Sequence, residues 1–427
     1  MVRGVEYQRR IADEELDTLM GDLPALALEG ARGVGKTATA ARRADTVFEL
    51  DDPGQREVLI ADPSMIDTVD GTVLIDEWQC HPPIWDVVRR RVDDGAPPGR
   101  FLLTGSAEPT DAPAHSGAGR IVRLRMRPLS LAERGLAEPA VGLGAMLAGE
   151  RPAISGKSDI AVRDYVKEIL ASGFPGIRPL ADRARRAQID SYLARVVERD
   201  FPEQGLRVRR PATLHAWLSA YAAATATTTS YNALLDAATA GESAKPAKTT
   251  TTAYRDVLSQ LWLLDPVPGW VPNRSHLRRL TQGPKHHLAD PALAAHLVGV
   301  DADALLRGQS AGPDIPRDGT LLGALFESLV TLSARVYAQA NEATVHHLRT
   351  RDGNHEVDLI IQRRDQRVVA LEVKLDGVPK PADVRHLLWL REQLGEDLLD
   401  AAVITAGAHA YRRPDGIAVI PAVLLGA

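Results

Sequence analysis

Apolar residues in the first third of the chain are grouped into short runs separated by polar or glycine-rich segments. Residues 24–30 form such a run, and after a glycine loop the alanine-rich residues 38–44 indicate a helix. Further apolar runs at 57–61, 72–75 and 101–103 alternate with polar or helical segments. Because buried strands of a parallel sheet have near-continuous apolar runs, we predict an α/β domain with covering helices over about the first 135 residues.

From about residue 160 to residue 265 the strand signals fade, and apolar residues recur with helical spacing. We predict a mostly helical middle region. Within it, 231–238 and 254–264 are predicted helices, and the lysine- and threonine-rich stretch 245–252 is a predicted turn. Two helices joined by a turn are typical of a winged-helix-like unit.

The last part of the chain returns to mixed helix and strand patterns. A helix is predicted over 321–339, strands over 355–361 and 367–375, and a final helix precedes a strand at 401–405. These elements predict a compact α/β domain. We therefore divide the chain into three parts, at 1–140, 141–300 and 301–427.

Composition narrows the class of protein. Hydrophobic residues make up 44% and charged residues 25%, which is typical of a globular chain. Aromatic residues make up only 4%, so aromatic platforms for stacked bases are not indicated. The net charge of −5 provides no global positive field, and any nucleic-acid contact must be local.

A single cysteine, Cys80, excludes an intramolecular disulfide and a cysteine-based zinc cluster. The first residues lack the apolar core of a signal peptide, and no run of ~18 apolar residues is uninterrupted. We expect a cytoplasmic protein with no membrane partner.

The glycine loop after the first apolar run matches the phosphate-binding pattern GxxxxGK[ST]. Its residues are Gly30, Ala31, Arg32, Gly33, Val34, Gly35, Lys36 and Thr37. In this pattern backbone N–H groups surround phosphates at a helix N-terminus, the lysine reaches the β- and γ-phosphates, and the threonine hydroxyl binds Mg²⁺. The sequence predicts an ATP site that uses Lys36 and Thr37.

Two carboxylates end the apolar run at 72–75. Asp76 is the predicted Mg²⁺ ligand, and Glu77 is the predicted residue that polarises the attacking water. A strand that merely ends in solvated acids is the alternative. The phosphate-binding pattern upstream favours the nucleotide-site interpretation.

Two further residues are candidates for the same site. Ser106, or Thr104 in its place, follows the run at 101–103 and is positioned to read the γ-phosphate, although Thr-Gly-Ser also suits an ordinary turn. Arg120 is a candidate arginine finger, with a surface arginine as the alternative.

A second candidate site lies in the last part of the chain. Asp358 lies on one predicted strand, and Glu372 and Lys374 share one face of the next, because side chains alternate along a strand. Glu327, on the helix 321–339, is a third acid. Such carboxylates bind Mg²⁺ or Mn²⁺, and a lysine beside them can orient or deprotonate a water that attacks a phosphodiester. Exposed strands produce the same pattern without any function.

With these motifs in place, the sequence resembles bacterial and archaeal AAA-type ATPases fused to a C-terminal domain of unknown function that looks like a restriction-endonuclease fold. The resemblance covers nearly the whole chain. The shared markers are residues 30–37, 74–79, 103–106, 119–120, 128–130, 173–175, 356–358 and 372–374. It implies a P-loop sheet domain, a winged-helix-like middle and a nuclease-like C-terminal domain. Trp78 departs from the pattern, which usually has a smaller aliphatic residue there, and we expect it to change packing rather than chemistry.

Two functions are consistent with these motifs. The first is an ATPase that couples its nucleotide state to a metal-dependent nuclease-like domain acting on DNA or another nucleic acid. Lys245, Lys248 and Arg255, with Arg207, Arg209 and Arg210, are candidate phosphate contacts, and solvated surface charge is the alternative. The second is a nucleotide-dependent switch with an inert C-terminal domain that binds a protein partner. The sequence leaves the oligomeric state open.

Overall fold

The structure is a computed structural model, and it describes residues 7–107, 119–208, 210–239, 248–271, 283–307, 318–350 and 353–427. The chain forms two compact units, each of which is discontinuous in sequence. The first unit comprises Met1–Arg127, Arg195–Val208 and Ala253–Leu263. The second unit comprises Pro128–Ala194, Arg209–Thr252 and Leu264–Ala427.

The α-helices, in chain order, are α1 Ile11–Asp22, α2 Lys36–Ala41, α3 Pro53–Ala61, α4 Pro83–Asp93, α5 Leu143–Ala148, α6 Val162–Ala171, α7 Asp182–Arg195, α8 Phe201–Glu203, α9 Pro211–Ala223, α10 Tyr231–Ala238, α11 Lys248–Gln260, α12 Pro291–Val298, α13 Ala302–Arg307, α14 Asp318–Ala340 and α15 Pro381–Leu394. A π-helical turn at Val196–Asp200 joins α7 to α8.

The strands are β1 Ala25–Glu29, β2 Thr46–Glu49, β3 Val73–Asp76, β4 Phe101–Gly105, β5 Val122–Arg125, β6 Val141–Gly142, β7 Gly156–Lys157, β8 Thr344–Arg349, β9 Glu356–Gln362, β10 Val368–Lys374, β11 Leu398–Thr405, β12 His409–Arg412, β13 Ala418–Pro421 and β14 Leu425–Gly426.

The first unit is built on a parallel sheet with the strand order β2-β3-β4-β1-β5. Strands β1, β3 and β4 are buried along their whole length, as their continuous apolar runs predict. The carboxyl ends of these three strands, with the loops and the start of α2 that follow them, carry the predicted nucleotide-site residues other than Arg120. Since parallel strands end at one edge of a sheet, these loops lie together.

The apolar run at 57–61 is not a strand, which corrects the interpretation of that run. It lies in α3, where Val58 and Ile60 are each 47% exposed. The Asp52 side chain accepts hydrogen bonds from the backbone N–H groups of Gly54 and Gln55, and Pro53 occupies the first helical turn. The cap and the proline favour the start of a helix here, in spite of the apolar run. The sheet instead gains β2, a strand that the pattern did not predict.

The second unit combines helices with a seven-stranded mixed sheet of order β7-β12-β13-β11-β10-β9-β8. Strands β8, β9 and β10 are antiparallel neighbours, whereas β10 and β11 are parallel and are connected through α15. The predicted strands at 355–361 and 367–375 correspond to β9 and β10. A separate two-stranded sheet pairs β6 with β14.

Helix α11 begins earlier than predicted, so 248–252 is helical rather than part of a turn. The rest of that predicted turn, including Lys245, lies outside the described residues, as does Arg209. After α11 the chain forms isolated antiparallel bridges between Leu264 and Leu288 and between Val267 and Lys285. The winged-helix-like interpretation of this region stays a prediction.

Within α14, the segment Leu321–Ala340 is the one stretch of the described chain that is long and apolar enough to cross a membrane, with a mean hydropathy of 1.3. Inside the protein, 72% of its most apolar window is buried. Core helices of soluble proteins have the same length and composition, so this helix is weak evidence for a membrane span.

Candidate functional site

The glycine loop wraps tightly between β1 and α2 because its backbone needs conformations that glycine adopts readily. Gly33 and Gly35 have φ values of 86° and 103°. A Cβ atom on Gly30 would lie 2.1 Å from the carbonyl oxygen of Met126. The close approach of the Met126 backbone therefore requires glycine at position 30. The positive φ values favour glycine at positions 33 and 35.

Lys36 is the buried cation of this loop, with 4% of its surface exposed. Its Nζ donates to the carbonyl oxygens of Gly30 at 2.8 Å and Ala31 at 3.1 Å. Burial lowers the pKa of Lys36 to about 8, against the opposing effect of the nearby Glu77 carboxylate. The ammonium thus lies against the loop whose N–H groups surround phosphates in this pattern.

The predicted metal ligands are in contact. The Thr37 hydroxyl donates to Asp76 Oδ1 at 2.7 Å, and the Thr104 hydroxyl donates to the same oxygen. Burial raises the pKa of Asp76, and these two hydrogen bonds oppose the shift. A hydroxyl and a carboxylate are hard oxygen ligands, and with phosphate oxygens and water they fit Mg²⁺.

Glu77 is held by a small polar network at the ends of β3 and β4. The Ser106 hydroxyl donates to Glu77 Oε2 at 2.6 Å, and the amide of Gln79 donates to the same oxygen and to Ser106 Oγ at 3.0 Å. The backbone of Glu77 is left-handed, with φ 54°, and its N–H donates to Thr104 Oγ1 at 3.2 Å. Both hydroxyl candidates therefore contact the carboxylate pair, Ser106 at Glu77 and Thr104 at Asp76.

Two residues near the site had no role predicted from the sequence. Gln79 lies two positions after Glu77 and closes the network around its carboxylate. Asp200, on the π-helical turn, is 7% exposed, and burial raises its pKa while the nearby charge of Arg32 lowers it. The spacing of two positions between Glu77 and Gln79 is a sequence signal that could have identified Gln79. No local pattern indicates that residue 200 belongs to the nucleotide-site unit.

Arg120 and Trp78 have structural contacts of their own. Arg120 Nε pairs with Asp93 Oδ1 at 2.8 Å, at the end of α4. Trp78 is buried, its ring lies 4.6 Å from that of Trp85, and a Cβ on Gly105 would lie 2.6 Å from its Nε1. Trp78 thus packs against the end of β4. The role of Arg120 as an arginine finger stays a prediction.

The C-terminal candidates come together on β9, β10 and α14. Lys374 Nζ donates to Glu372 Oε1 at 2.6 Å, and Asp358 Oδ2 accepts from the backbone N–H of Val373 at 2.9 Å. Glu372 Oε2 is buried and has no hydrogen-bond partner among the residues that the structure describes. Burial raises the pKa values of Glu327 and Glu372, with the neighbouring Asp358 carboxylate adding to both shifts.

The cation at the centre of these carboxylates is Lys285, which the sequence analysis did not single out. Its Nζ lies 2.8 Å from Glu327 Oε1, 2.9 Å from Asp358 Oδ1 and 3.5 Å from Glu356 Oε1. Although burial opposes its charge, Asp358 and Glu327 raise the pKa of Lys285 well above its usual value. The ammonium is therefore charged and paired.

This arrangement differs from the expected Mg²⁺ or Mn²⁺ site on Glu327, Asp358 and Glu372. Among the residues that the structure describes, no group of three or more His, Cys, Asp or Glu side chains could hold a metal ion. The physical reason is that the ammonium of Lys285 lies where Glu327 and Asp358 converge. As arranged, the donor set does not fit a resident divalent ion.

Comparison with known proteins identifies sequence families in three parts of the chain. A model of the AAA domain family matches residues 22–134, and two domains of unknown function, DUF8612 and DUF4143, match residues 162–304 and 322–425. The uncharacterized proteins Rv2008c of Mycobacterium tuberculosis and Mb2031c of Mycobacterium bovis are each 25% identical over 424 residues, which covers 97% of this chain and 84% of theirs.

Among solved structures, the Walker-type ATPase PABY2304 of Pyrococcus abyssi aligns with 14% identity and a TM-score of 0.41, over 70% of this chain and 99% of that one. At this TM-score the alignment carries no argument. The family match rests instead on residues 22–134, which contain the glycine loop, the Asp76–Glu77 pair and Ser106. The chain therefore contains a P-loop ATPase domain of the AAA type.

Proposed function

We propose that Glu77 is the general base of ATP hydrolysis in this domain. The observation that carries this proposal is the fixed Glu77 carboxylate, whose Oε2 accepts hydrogen bonds from Ser106 and Gln79. With Oε2 engaged, Oε1 is the oxygen that accepts the proton of the attacking water. The water oxygen forms a bond to the γ-phosphorus, the bond from that phosphorus to the β–γ bridging oxygen breaks, and ADP leaves.

The other residues of the site have roles in binding and charge neutralisation. Thr37 and Asp76 would hold Mg²⁺, which neutralises the phosphate charge when it is bound. Lys36 would turn its ammonium from the loop carbonyls to the β- and γ-phosphates. Ser106 orients Glu77 in this scheme, which is a positioning role.

Steady-state ATP hydrolysis with Mg²⁺ tests the assignment. Glu77→Gln should bind ATP with nearly unchanged affinity but lose hydrolysis by on the order of 10²-fold or more, because the amide cannot accept the proton. Glu57→Gln is the matched control, since Glu57 is an exposed glutamate on α3 of the same unit. ATP hydrolysis by Glu77→Gln at the wild-type rate would show that Glu77 is not the general base.

For the C-terminal domain we propose the switch interpretation, in which nucleotide state is passed to a domain that does not cleave nucleic acid and that binds a protein partner. The pairing of Lys285 with Glu327 and Asp358 supports it, because those acids are already neutralised within the protein. Nothing in this proposal needs a metal ion at Glu327, Asp358 and Glu372.

A metal-dependent nuclease acting on DNA is the second candidate. It is favoured by the order α14, β8, β9, β10, α15, β11 and by the contact of Lys374 with Glu372 beside Asp358. The discriminating assay incubates labelled single- and double-stranded DNA and RNA with Mg²⁺ or Mn²⁺, with and without ATP. Cleavage by the wild type that is lost in Glu372→Ala supports the nuclease, and absence of cleavage alongside ATP hydrolysis supports the switch.

A further inference from the structure

The acid cluster of the C-terminal domain, formed by Glu327, Asp358 and Glu372, contains a cation that belongs to the chain itself. We propose that the ammonium of Lys285 is the resident cation of this cluster and excludes divalent metal ions from it. The proposal concerns metal binding alone. It is independent of ATP hydrolysis, so either conclusion can fail without the other.

The first argument is the position of the ammonium. Lys285 Nζ is within hydrogen-bond distance of one oxygen of Glu327 and one of Asp358, at 2.8 and 2.9 Å. A divalent ion bound through these two oxygens would have to lie ~2.1 Å from each of them, in the space beside the ammonium. The ammonium would strongly repel a divalent cation this close to it in a buried site.

The second argument is the burial of Lys285 and the anchoring of its backbone. Its side chain is 1% exposed, so the ammonium is shielded from solvent beside the carboxylates. Its backbone N–H donates to the carbonyl of Val267 at 2.9 Å and its carbonyl accepts from the N–H of Val267 at 2.9 Å. This two-way bridge fixes the backbone position from which the side chain of Lys285 extends, so the ammonium can leave the carboxylates only by rotation of its own side chain.

The third argument is the remaining ligand capacity of the cluster. Glu372 Oε2 is a buried carboxylate oxygen to which no described residue donates a hydrogen bond. An unpartnered oxygen of this kind is costly to bury unless a ligand or a change of protonation satisfies it. Removal of the Lys285 ammonium would leave the oxygens of Glu327 and Asp358 in the same condition. We therefore expect loss of this one charge to create a metal site.

Mn²⁺ binding to the full-length chain without nucleotide is the test, read as the loss of the free-ion signal in electron paramagnetic resonance. Every protein carries Asp76→Asn, so that the nucleotide site lacks its carboxylate ligand. The protein with Asp76→Asn alone, called the background, should bind no Mn²⁺. The protein that also carries Lys285→Met should bind one ion per chain. Adding Asp358→Asn to Lys285→Met should abolish that binding.

Lys380→Met is the matched control, because Lys380 is an exposed lysine that pairs with Asp376 on the surface. It should bind no Mn²⁺. Circular dichroism and thermal unfolding check that each variant is folded. The proposal is overturned if the background binds an ion that Asp358→Asn removes, or if folded Lys285→Met binds none.

A second measurement covers the case in which Lys285→Met does not fold. Wild-type protein is treated with an amine-acylating reagent, with and without Mn²⁺, and modified lysines are identified by mass spectrometry. Lys285 should remain unmodified in both samples, while Lys380 is modified in both. Modification of Lys285 that rises with Mn²⁺ would mean that the ion displaces the ammonium, and the proposal would be wrong.

Discussion

The hydroxyl of Thr37 donates to Oδ1 of Asp76 at 2.7 Å, although 39 positions separate the two residues in sequence. This contact joins the glycine loop after β1 to the end of β3. It places side by side the hydroxyl and the carboxylate that are the proposed Mg²⁺ ligands.

Replacing Thr37 tests that pairing directly. Thr37→Ala removes one metal ligand and the hydrogen bond to Asp76, so we expect Mg²⁺-dependent ATP hydrolysis to fall by on the order of 10²-fold. Thr37→Ser keeps the hydroxyl and should retain most of the activity. Titration of Mg²⁺ at saturating ATP makes the comparison, and equal activity of the alanine and serine variants would contradict the role of the hydroxyl.

Gln79 should act through Glu77 rather than on ATP. Gln79→Leu removes the amide that donates to Glu77 Oε2 and Ser106 Oγ. We expect kcat to fall roughly 10- to 100-fold with little change in KM, because only the orientation of the base is lost. In the double variant with Ser106→Ala, the two effects should be less than multiplicative, since both side chains hold one carboxylate. Strict multiplicativity would argue against a shared network.

Gly30 should tolerate no side chain. A Cβ atom would lie 2.1 Å from the Met126 carbonyl oxygen, which is backbone and cannot rotate away. Gly30→Ala is expected to lower the free energy of unfolding by about 3 kcal/mol or more. Gly21→Ala is the control, because Gly21 lies in α1 with nothing within 4 Å of the added atom, and a gain of about 0.5–1 kcal/mol is expected there. Urea denaturation of both variants provides the measurement.

Asp13 should make stability depend on acid pH. It accepts hydrogen bonds from the Arg10 backbone N–H at 2.6 Å and the Tyr7 hydroxyl at 2.7 Å, and it pairs with Arg43 at 2.8 Å. Although burial opposes ionisation, these contacts hold the pKa of Asp13 below its usual value. A depressed carboxyl pKa stabilises the fold at pH values above the usual 3.8, and this stability is lost as the pH falls through the folded pKa.

The variant Asp13→Asn isolates this contribution. At pH 7 it should lower the free energy of unfolding by about 1–3 kcal/mol, because the amide is a poorer partner for Arg43. Between pH 5 and pH 3 the wild type should lose more stability than the variant. Equal slopes in chemical denaturation over this interval would mean that Asp13 has the same pKa in the folded and unfolded chains.

That the predicted nucleotide-site residues lie close together was largely predictable from the sequence, because they lie within short motifs at the ends of apolar strands. Lys36, Thr37, Asp76 and Glu77 are assigned by local spacing, and the structure brings them to one edge of the sheet. The position of Lys285 was not predictable. It depends on an antiparallel bridge to Val267 and on contacts with residues 42 and 73 positions away, which no local pattern encodes.

The difference between local patterns and contacts that are distant in sequence also explains the errors in the predicted secondary structure. Residues 57–61 were assigned from their apolar character, whereas the capping hydrogen bonds to the Asp52 side chain start a helix there. Strands β2, β8, β12 and β13 were missed because they are short or interrupted by polar residues. Periodicity identifies long buried elements well, and it has little power over short strands whose pairing partners are distant.

The discontinuous first unit has a practical consequence for expressing the ATPase domain. The AAA family match ends at residue 134, but this unit also includes Arg195–Val208 and Ala253–Leu263. Phe201 packs against Tyr254, and Arg125 lies over the ring of Trp262, 4.6 Å from its centre. A fragment that ends at residue 134 would lack Phe201, Tyr254 and Trp262. The surfaces that these side chains cover would then be exposed to solvent. Screening of fragments for the nucleotide-binding unit should therefore start from all 427 residues.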